Sequence, residues 1–195
     1  QGKWQLNDPV AKFIPEFKDL KVYAGTDAEG KPILEPQKHP MTMRELMSHT
    51  AGFTYGFFSN SPVDKMQLQA NVLDNNITLE EMIQRVAKLP LASQPGARWH
   101  YSIAVDIQGY IVEKLSGMPF DEFLAKHIFE PLKMVDTGFY VPQEKLHRLA
   151  QVYNVDQNGK LRVENGGFNR DYSKRPALLS GGGGLVSTAA DYFRF

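Results

Sequence analysis

The chain has 195 residues, 42% hydrophobic and 23% charged, the balance of a folded globular protein rather than a disordered one. Its 22 Lys and Arg offset 22 Asp and Glu, so there is no basic surplus to recruit nucleic acid or an anionic membrane, and a neutral surface fits a small, weakly charged substrate. With no Cys, disulfides, thiol catalysis and cysteine metal sites are excluded, and no apolar run reaches the length that spans a bilayer.

In chain order, Asp8 before Pro9 predicts a helix start over Leu6 to Phe17, with Val10, Phe13, Ile14 and Phe17 on one apolar side. Residues 18–40 are rich in Gly, Pro and Lys, and GTDAEGKP supplies turn chemistry between the short strand-like pieces VYA and PIL. Thr42 and Glu45 form a capping box before Met43, Leu46 and Met47, with Gly52 just past the end of that helix. A second box, Thr78 with Glu81, opens a helix whose one face is Leu79, Met82, Ile83, Val86 and Leu89. Ile103, Ile107, Tyr110, Ile111 and Leu115 share the side of the next helix, and Gly117 supplies its left-handed stop. Pro119 then begins a helix with Phe120, Phe123, Leu124 and Ile128 as its apolar positions. Ala150 to Glu164 alternates around Asn158-Gly159, a hairpin turn signal. Ser180 to Gly184 reads as a flexible loop, followed by strand-like Leu185-Val186 and a helix start capped by Thr188 and Asp191. There is no internal repeat and no low-complexity tract. The middle is helical, with strands toward the end.

Motifs of phosphate and metal chemistry are not matched. The four glycines lack the Lys-Ser/Thr of a phosphate loop, and His39, His49, His100, His127 and His147 form no pair at zinc-ligand spacing. His49, closing a helix, reads as a favourable cation at the negative helix end or a packed imidazole. Gly-x-Ser-x-Gly does not occur. Tyr101-Ser102 remains. Ser102 fits a helix N-cap, and Tyr101 fits an aromatic packed on the core with a wet hydroxyl. The same place also suits chemistry. A tyrosine outside a helix N-terminus lies near unsatisfied N–H groups and the positive end of the dipole, which favour phenolate. With a lysine nearby, such a tyrosine serves as general base for a serine nucleophile.

MTMRELMSHTAGF (41–53), WHYSIAVDIQGYIVEKLSGMPFDEFLAKHIFEPLKMVDTGF (99–139) and LLSGGGGLVSTAADYFRF (178–195) resemble the serine β-lactamase and penicillin-binding-protein-like superfamily. The resemblance is closest to the class C-like branch that includes the family VIII carboxylesterases. It implies an α+β fold in which an all-helical lobe, about 42–145, packs beside an α/β lobe with an antiparallel sheet. In that family a Ser-x-x-Lys serine is the nucleophile and a second-motif tyrosine, matched here by Tyr101, handles its proton. No Ser in this chain has Lys three positions later, and the family's third motif is not found. A chain that opens at Gln1 rather than Met is therefore expected to be an internal segment of one domain. The Ser and Lys are then expected upstream, and a companion fragment or chain is expected to carry the rest.

The second motif departs from the family's Tyr-x-Asn, because Ile103 stands where an amide would bind a peptide-like substrate. That points to esters rather than β-lactams. FTYGFF adds Phe53, Tyr55, Phe57 and Phe58 as candidate substrate-binding aromatics, suited to an acyl or aromatic ester group, with Ser102 structural beside the site. The resemblance thus implies a carboxylesterase working through an acyl-enzyme, with no cofactor and no metal. A β-lactamase, a D-amino-acid-specific peptidase, an acyltransferase and a non-catalytic homologue are the alternatives. The implied setting is bacterial-type, cytoplasmic or periplasmic.

Overall fold

Two loops with one five-residue pattern, Asp-x-x-Gly-Lys, set the two hairpins. In the computed structural model, which describes residues 2–164 and 170–195, they join Lys21–Thr26 (β1) to Pro32–Pro36 (β2) and Tyr153–Val155 (β3) to Leu161–Val163 (β4). Both pairs are antiparallel. In each loop the Asp Oδ1 accepts two N–H groups: Glu29 at 3.0 Å and Lys31 at 2.7 Å onto Asp27, Asn158 at 2.9 Å and Lys160 at 3.0 Å onto Asp156. Gly30 and Gly159 take φ of 83° and 75°, the left-handed step that completes such a turn.

The chain divides into two compact units, Gln1–Leu124 with Ala177–Gly184 and Ala125–Pro176 with Leu185–Phe195. The first holds most of the core. Its start is two 3₁₀ turns, Val10–Lys12 and Pro15–Phe17, rather than the expected helix. Pro15 has no N–H for the helix ladder and pushes Ile14 out of the α region, to φ −129° and ψ 82°. Val10, Ile14 and Phe17 are buried all the same. β1 also pairs with Leu91, which accepts from Tyr23 N–H at 2.9 Å and donates to Lys21 O at 2.8 Å.

The helices of this unit are Met43–Met47 (α1), Pro62–Gln69 (α2), Leu79–Val86 (α3), Ala104–Ser116 (α4) and Phe120–Leu124 (α5). α1 and α3 carry the expected reciprocal capping boxes, Thr42 with Glu45 and Thr78 with Glu81. α2 has no counterpart among the expected elements; Ser61 caps it by accepting from Asp64 N–H, with Pro62 in the first turn. α4 packs against α1, α3 and α5, and Leu46, Met82, Ile83, Ile103 and Ile107 are fully enclosed. Burying five such side chains contributes on the order of 10 kcal/mol, at about 2 kcal/mol each. Gly109 lets α5 come close, since a Cβ there would sit 3.1 Å from the Phe120 ring. Gly117, at φ 70°, stops α4 as expected.

The second unit begins with a π-helical stretch, Ala125–Phe129, followed by Glu130–Leu132 (α6). An ordinary helix was expected there. Pro131 has no N–H for the carbonyl four residues back, and the turn before it widens. Lys133, at φ 56°, ends the run. Gly138 and Val186 exchange backbone hydrogen bonds at 3.1 and 2.8 Å. Thr188 caps Ala189–Tyr192 (α7) as expected, and Asp191 Oδ2 accepts the Asp136 N–H at 2.6 Å. Helices with small antiparallel sheets give the expected α+β class.

Candidate active site

Tyr101 leads into α4 from a segment without regular structure, and Ser102 does not cap that helix. The N-cap is Ile103, with φ −62° and ψ 11°, and no side chain caps it. Ser102 turns inward instead and is 1% exposed. Its hydroxyl lies 3.2 Å from His49 Nδ1, and its N–H donates to the same nitrogen at 3.2 Å. Ile103 is enclosed, so the position that the resemblance matches to an amide faces the core.

Tyr101 projects the other way, 41% exposed, into a group of rings. His49 lies 5.0 Å away between centroids, Tyr55 5.1 Å, Phe58 5.6 Å and Trp99 6.3 Å, the last nearly parallel at 16°. Phe57 joins through Tyr55 at 5.1 Å and Phe58 at 4.7 Å. Phe57, Phe58 and Trp99 are more than half exposed. Within residues 1–195 these rings form one contiguous exposed aromatic patch. Of the expected aromatics, Tyr55, Phe57 and Phe58 gather round Tyr101. Phe53 does not: it is a core residue, 5.5 Å from Phe17.

A buried carboxylate holds the aromatic loop in place. Asp64, on α2, accepts from the Ser59, Ser61 and Thr54 hydroxyls and from the Gly56 N–H. Burial alone would raise its pKa, but these four donors outweigh it and the net shift is downward. Thr54 Oγ1 also lies 3.0 Å from Gln67 Oε1. Residues 54–61 are thereby tied to α2, with the Phe57 and Phe58 rings outside.

A second buried carboxylate, Asp106 in the first turn of α4, joins Tyr55 to the glycine loop. Its Oδ1 accepts from the Ser180 hydroxyl at 2.5 Å and the Gly182 N–H at 3.1 Å, and its Oδ2 faces the Tyr55 hydroxyl at 3.5 Å. Burial raises the Asp106 pKa. The Tyr55 phenol is pushed well above its ordinary value, first by burial, then by the Asp106 charge and by neighbouring Tyr101. It therefore stays a protonated donor at neutral pH. His49 shifts the other way, since burial disfavours its cation. The Ser102 N–H donates to Nδ1, which needs a lone pair there, so the hydrogen bond fits a packed neutral imidazole rather than a helix-end cation.

The glycines are explained by what they touch. A Cβ on Gly181 would run into the Val105 carbonyl, and one on Gly182 into the Tyr55 hydroxyl and, at 2.7 Å, Asp106 Oδ2. His49, Trp99 and Asp106 were not among the expected site residues. Asp106 had one sequence signal, a lone acid in the first turn of an otherwise apolar helix start. Among the described residues no group of three or more His, Asp or Glu is placed to hold a metal ion, and no helix is long and apolar enough to cross a membrane.

A family model described as Beta-lactamase matches residues 1–195. Protein Rv1367c of Mycobacterium tuberculosis is 34% identical over 197 residues, covering 100% of this chain and 47% of that protein. Lovastatin esterase of Penicillium rubens is 30% identical over 196 residues, covering 99% and 48%. The solved structure of simvastatin synthase (LovD) from Aspergillus terreus superposes with a TM-score of 0.78 at 26% identity, over 97% of this chain and 46% of that one. The chain spans about half the length of the curated relatives it matches, and those relatives include both esterases and acyltransferases. The chain belongs to the Beta-lactamase family and has the β-lactamase-like fold.

Proposed function

We propose that residues 1–195 carry the general base and part of the acyl-binding surface of a carboxylesterase that hydrolyses short-chain or aromatic esters through an acyl-enzyme. The observation that carries this reading is Tyr101, a solvent-accessible phenol beside the start of α4, set among His49, Tyr55, Phe58 and Trp99. The nucleophile is a serine of a Ser-x-x-Lys pair outside these residues, since no such pair occurs within them. Its hydroxyl oxygen bonds to the ester carbonyl carbon while its proton passes to the Tyr101 oxygen. Tyr101 then gives that proton to the departing alcohol as the C–O bond breaks. Water attacks the acyl-enzyme by the same route, and the acid leaves. The acyl or aromatic portion lies against Phe57, Phe58 and Trp99.

Ester is favoured over β-lactam because Ile103, enclosed in the core, offers no amide for a peptide-like substrate. Transfer to an alcohol acceptor is a second reading, supported by the acyltransferases among the relatives. The test compares turnover of p-nitrophenyl butyrate with that of a chromogenic cephalosporin by the full-length polypeptide. The ester is expected to be preferred, and Tyr101→Phe is expected to lower kcat by about 10²–10⁴-fold. Preference for the cephalosporin, or a Tyr101→Phe variant as fast as the parent, would sink the reading. Peptide mapping by mass spectrometry after fluorophosphonate treatment adds an independent check: an adduct on a serine within residues 1–195 would reassign the nucleophile.

A further inference from the structure

His49 has a backbone conformation that needs a reason. It is not glycine, yet its φ is 57°, in the left-handed region that side-chain-bearing residues seldom adopt. That turn aims two of its acceptors at one short segment. The His49 carbonyl accepts the His100 N–H at 2.8 Å, and Nδ1 accepts the Ser102 N–H at 3.2 Å. The residue between those two donors is Tyr101. The imidazole also lies against the Tyr101 ring at 5.0 Å and edge-on to Trp99 at 6.2 Å.

We propose that His49 is the positioning residue of Tyr101: its carbonyl and its Nδ1 grip the N–H groups on either side and so fix the direction of the phenol. This rests on the reading of Tyr101 as the general base. A backbone N–H can only donate, so Nδ1 must keep its lone pair and the ring must be neutral with its proton on Nε2. A side-chain oxygen at the same reach does the same work. The grip matters because proton transfer depends on geometry, and a misplacement of about 1 Å costs on the order of 10²-fold in rate.

The experiment compares His49→Gly, His49→Asn and Tyr101→Phe, alone and combined, in the full-length polypeptide with p-nitrophenyl butyrate. Gly and Asn both accept the left-handed backbone, but only Asn offers an acceptor where Nδ1 stands. His49→Gly is expected to lower kcat by about 10²-fold with KM nearly unchanged, and His49→Asn to regain most of that loss. In the Tyr101→Phe background, His49→Gly is expected to add little, because it acts through the missing phenol. A merely structural role would give losses that multiply. Should His49→Gly not fold, His49→Gln replaces it, because its oxygen reaches the Nε2 position rather than Nδ1.

Parental kcat in His49→Gly, equal impairment of the rescuing and non-rescuing variants, or multiplying losses would each overturn the proposal. If Tyr101→Phe is inactive while His49→Gly is fully active, the positioning role alone falls. If Tyr101→Phe matches the parent, the general-base reading falls, and the positioning role with it.

Discussion

Replacing Asp106 tests how the start of α4 is joined to the glycine loop. Asp106→Ala leaves three donors without their acceptor: the Ser180 hydroxyl, the Gly182 N–H and the Tyr55 hydroxyl. A buried donor left unmade costs about 1–3 kcal/mol. Ser180 is only partly buried and can recruit water, and removing a buried carboxylate relieves its desolvation, so the net loss falls at about 3 kcal/mol. Asp106→Asn keeps an oxygen for Ser180 and Gly182 and replaces only the oxygen facing Tyr55 at 3.5 Å, so its cost is about 1 kcal/mol or less.

The pH dependence separates the two states of the parent. Burial raises the folded pKa of Asp106 above its ordinary 3.8, so between those values the folded state holds more protons than the unfolded one. Stability from this group is greatest below 3.8 and declines as pH rises through the folded value. Asn does not titrate, so the parent should lose ground against Asp106→Asn across that window. Urea unfolding at a series of pH values measures both effects. A loss under about 1 kcal/mol for Asp106→Ala, or an Asn variant as unstable as the Ala variant, would refute the account.

Gly182→Ala is expected to destabilise by about 1–3 kcal/mol, while Gly183→Ala, whose Cβ meets nothing within 4 Å, should be near neutral; thermal midpoints of the two decide it. Asp64→Asn should lower stability and loosen residues 54–61, seen as faster amide exchange there. Because the folded pKa of Asp64 is depressed, its contribution is full above the ordinary 3.8 and is lost as pH falls through the folded value, so the parent's advantage should shrink in acid. Asp136, bridged by Arg148 at 2.8 Å and Lys145 at 2.7 Å, should titrate near pH 2 by carboxyl NMR, and a midpoint at the ordinary 3.8 would contradict those bridges.

Local signals were readable because their partners lie within a few residues. The boxes at Thr42/Glu45 and Thr78/Glu81, the Thr188 cap and the two hairpins all close over five residues or fewer. Failures came where one residue vetoed a pattern. Pro15 broke the apolar run that predicted an N-terminal helix, and Pro131 widened the end of the run after Pro119. α2 was missed for another reason. Its Ser61-Pro62-Val63-Asp64 start is a fair cap, but the buried face includes Asp64 and Gln67, and Asp64 is tolerable there because the Thr54, Ser59 and Ser61 hydroxyls and the Gly56 N–H reach it.

The site divides along the same line. Tyr101 could be proposed from its place before α4 and from the resemblance, and Tyr55, Phe57 and Phe58 from their density in one loop. Which aromatic would turn inward was not readable, because the partners that decide it, such as Phe17 against Phe53, lie far away in sequence. The partner of Ser102 lies 53 residues away, and those of Asp106 lie 51, 74 and 76 residues away. Each half of such a pair looks ordinary alone: a serine before a helix, an acid in a first turn, a run of glycines. Only together do they acquire a function. The Val105 carbonyl and the Tyr55 hydroxyl leave room for bare backbone at Gly181 and Gly182, and that closeness lets the Gly182 N–H reach Asp106. The glycine run is thus selected by what already stands beside it, the same carboxylate that faces the Tyr55 hydroxyl, whose ring packs on Tyr101.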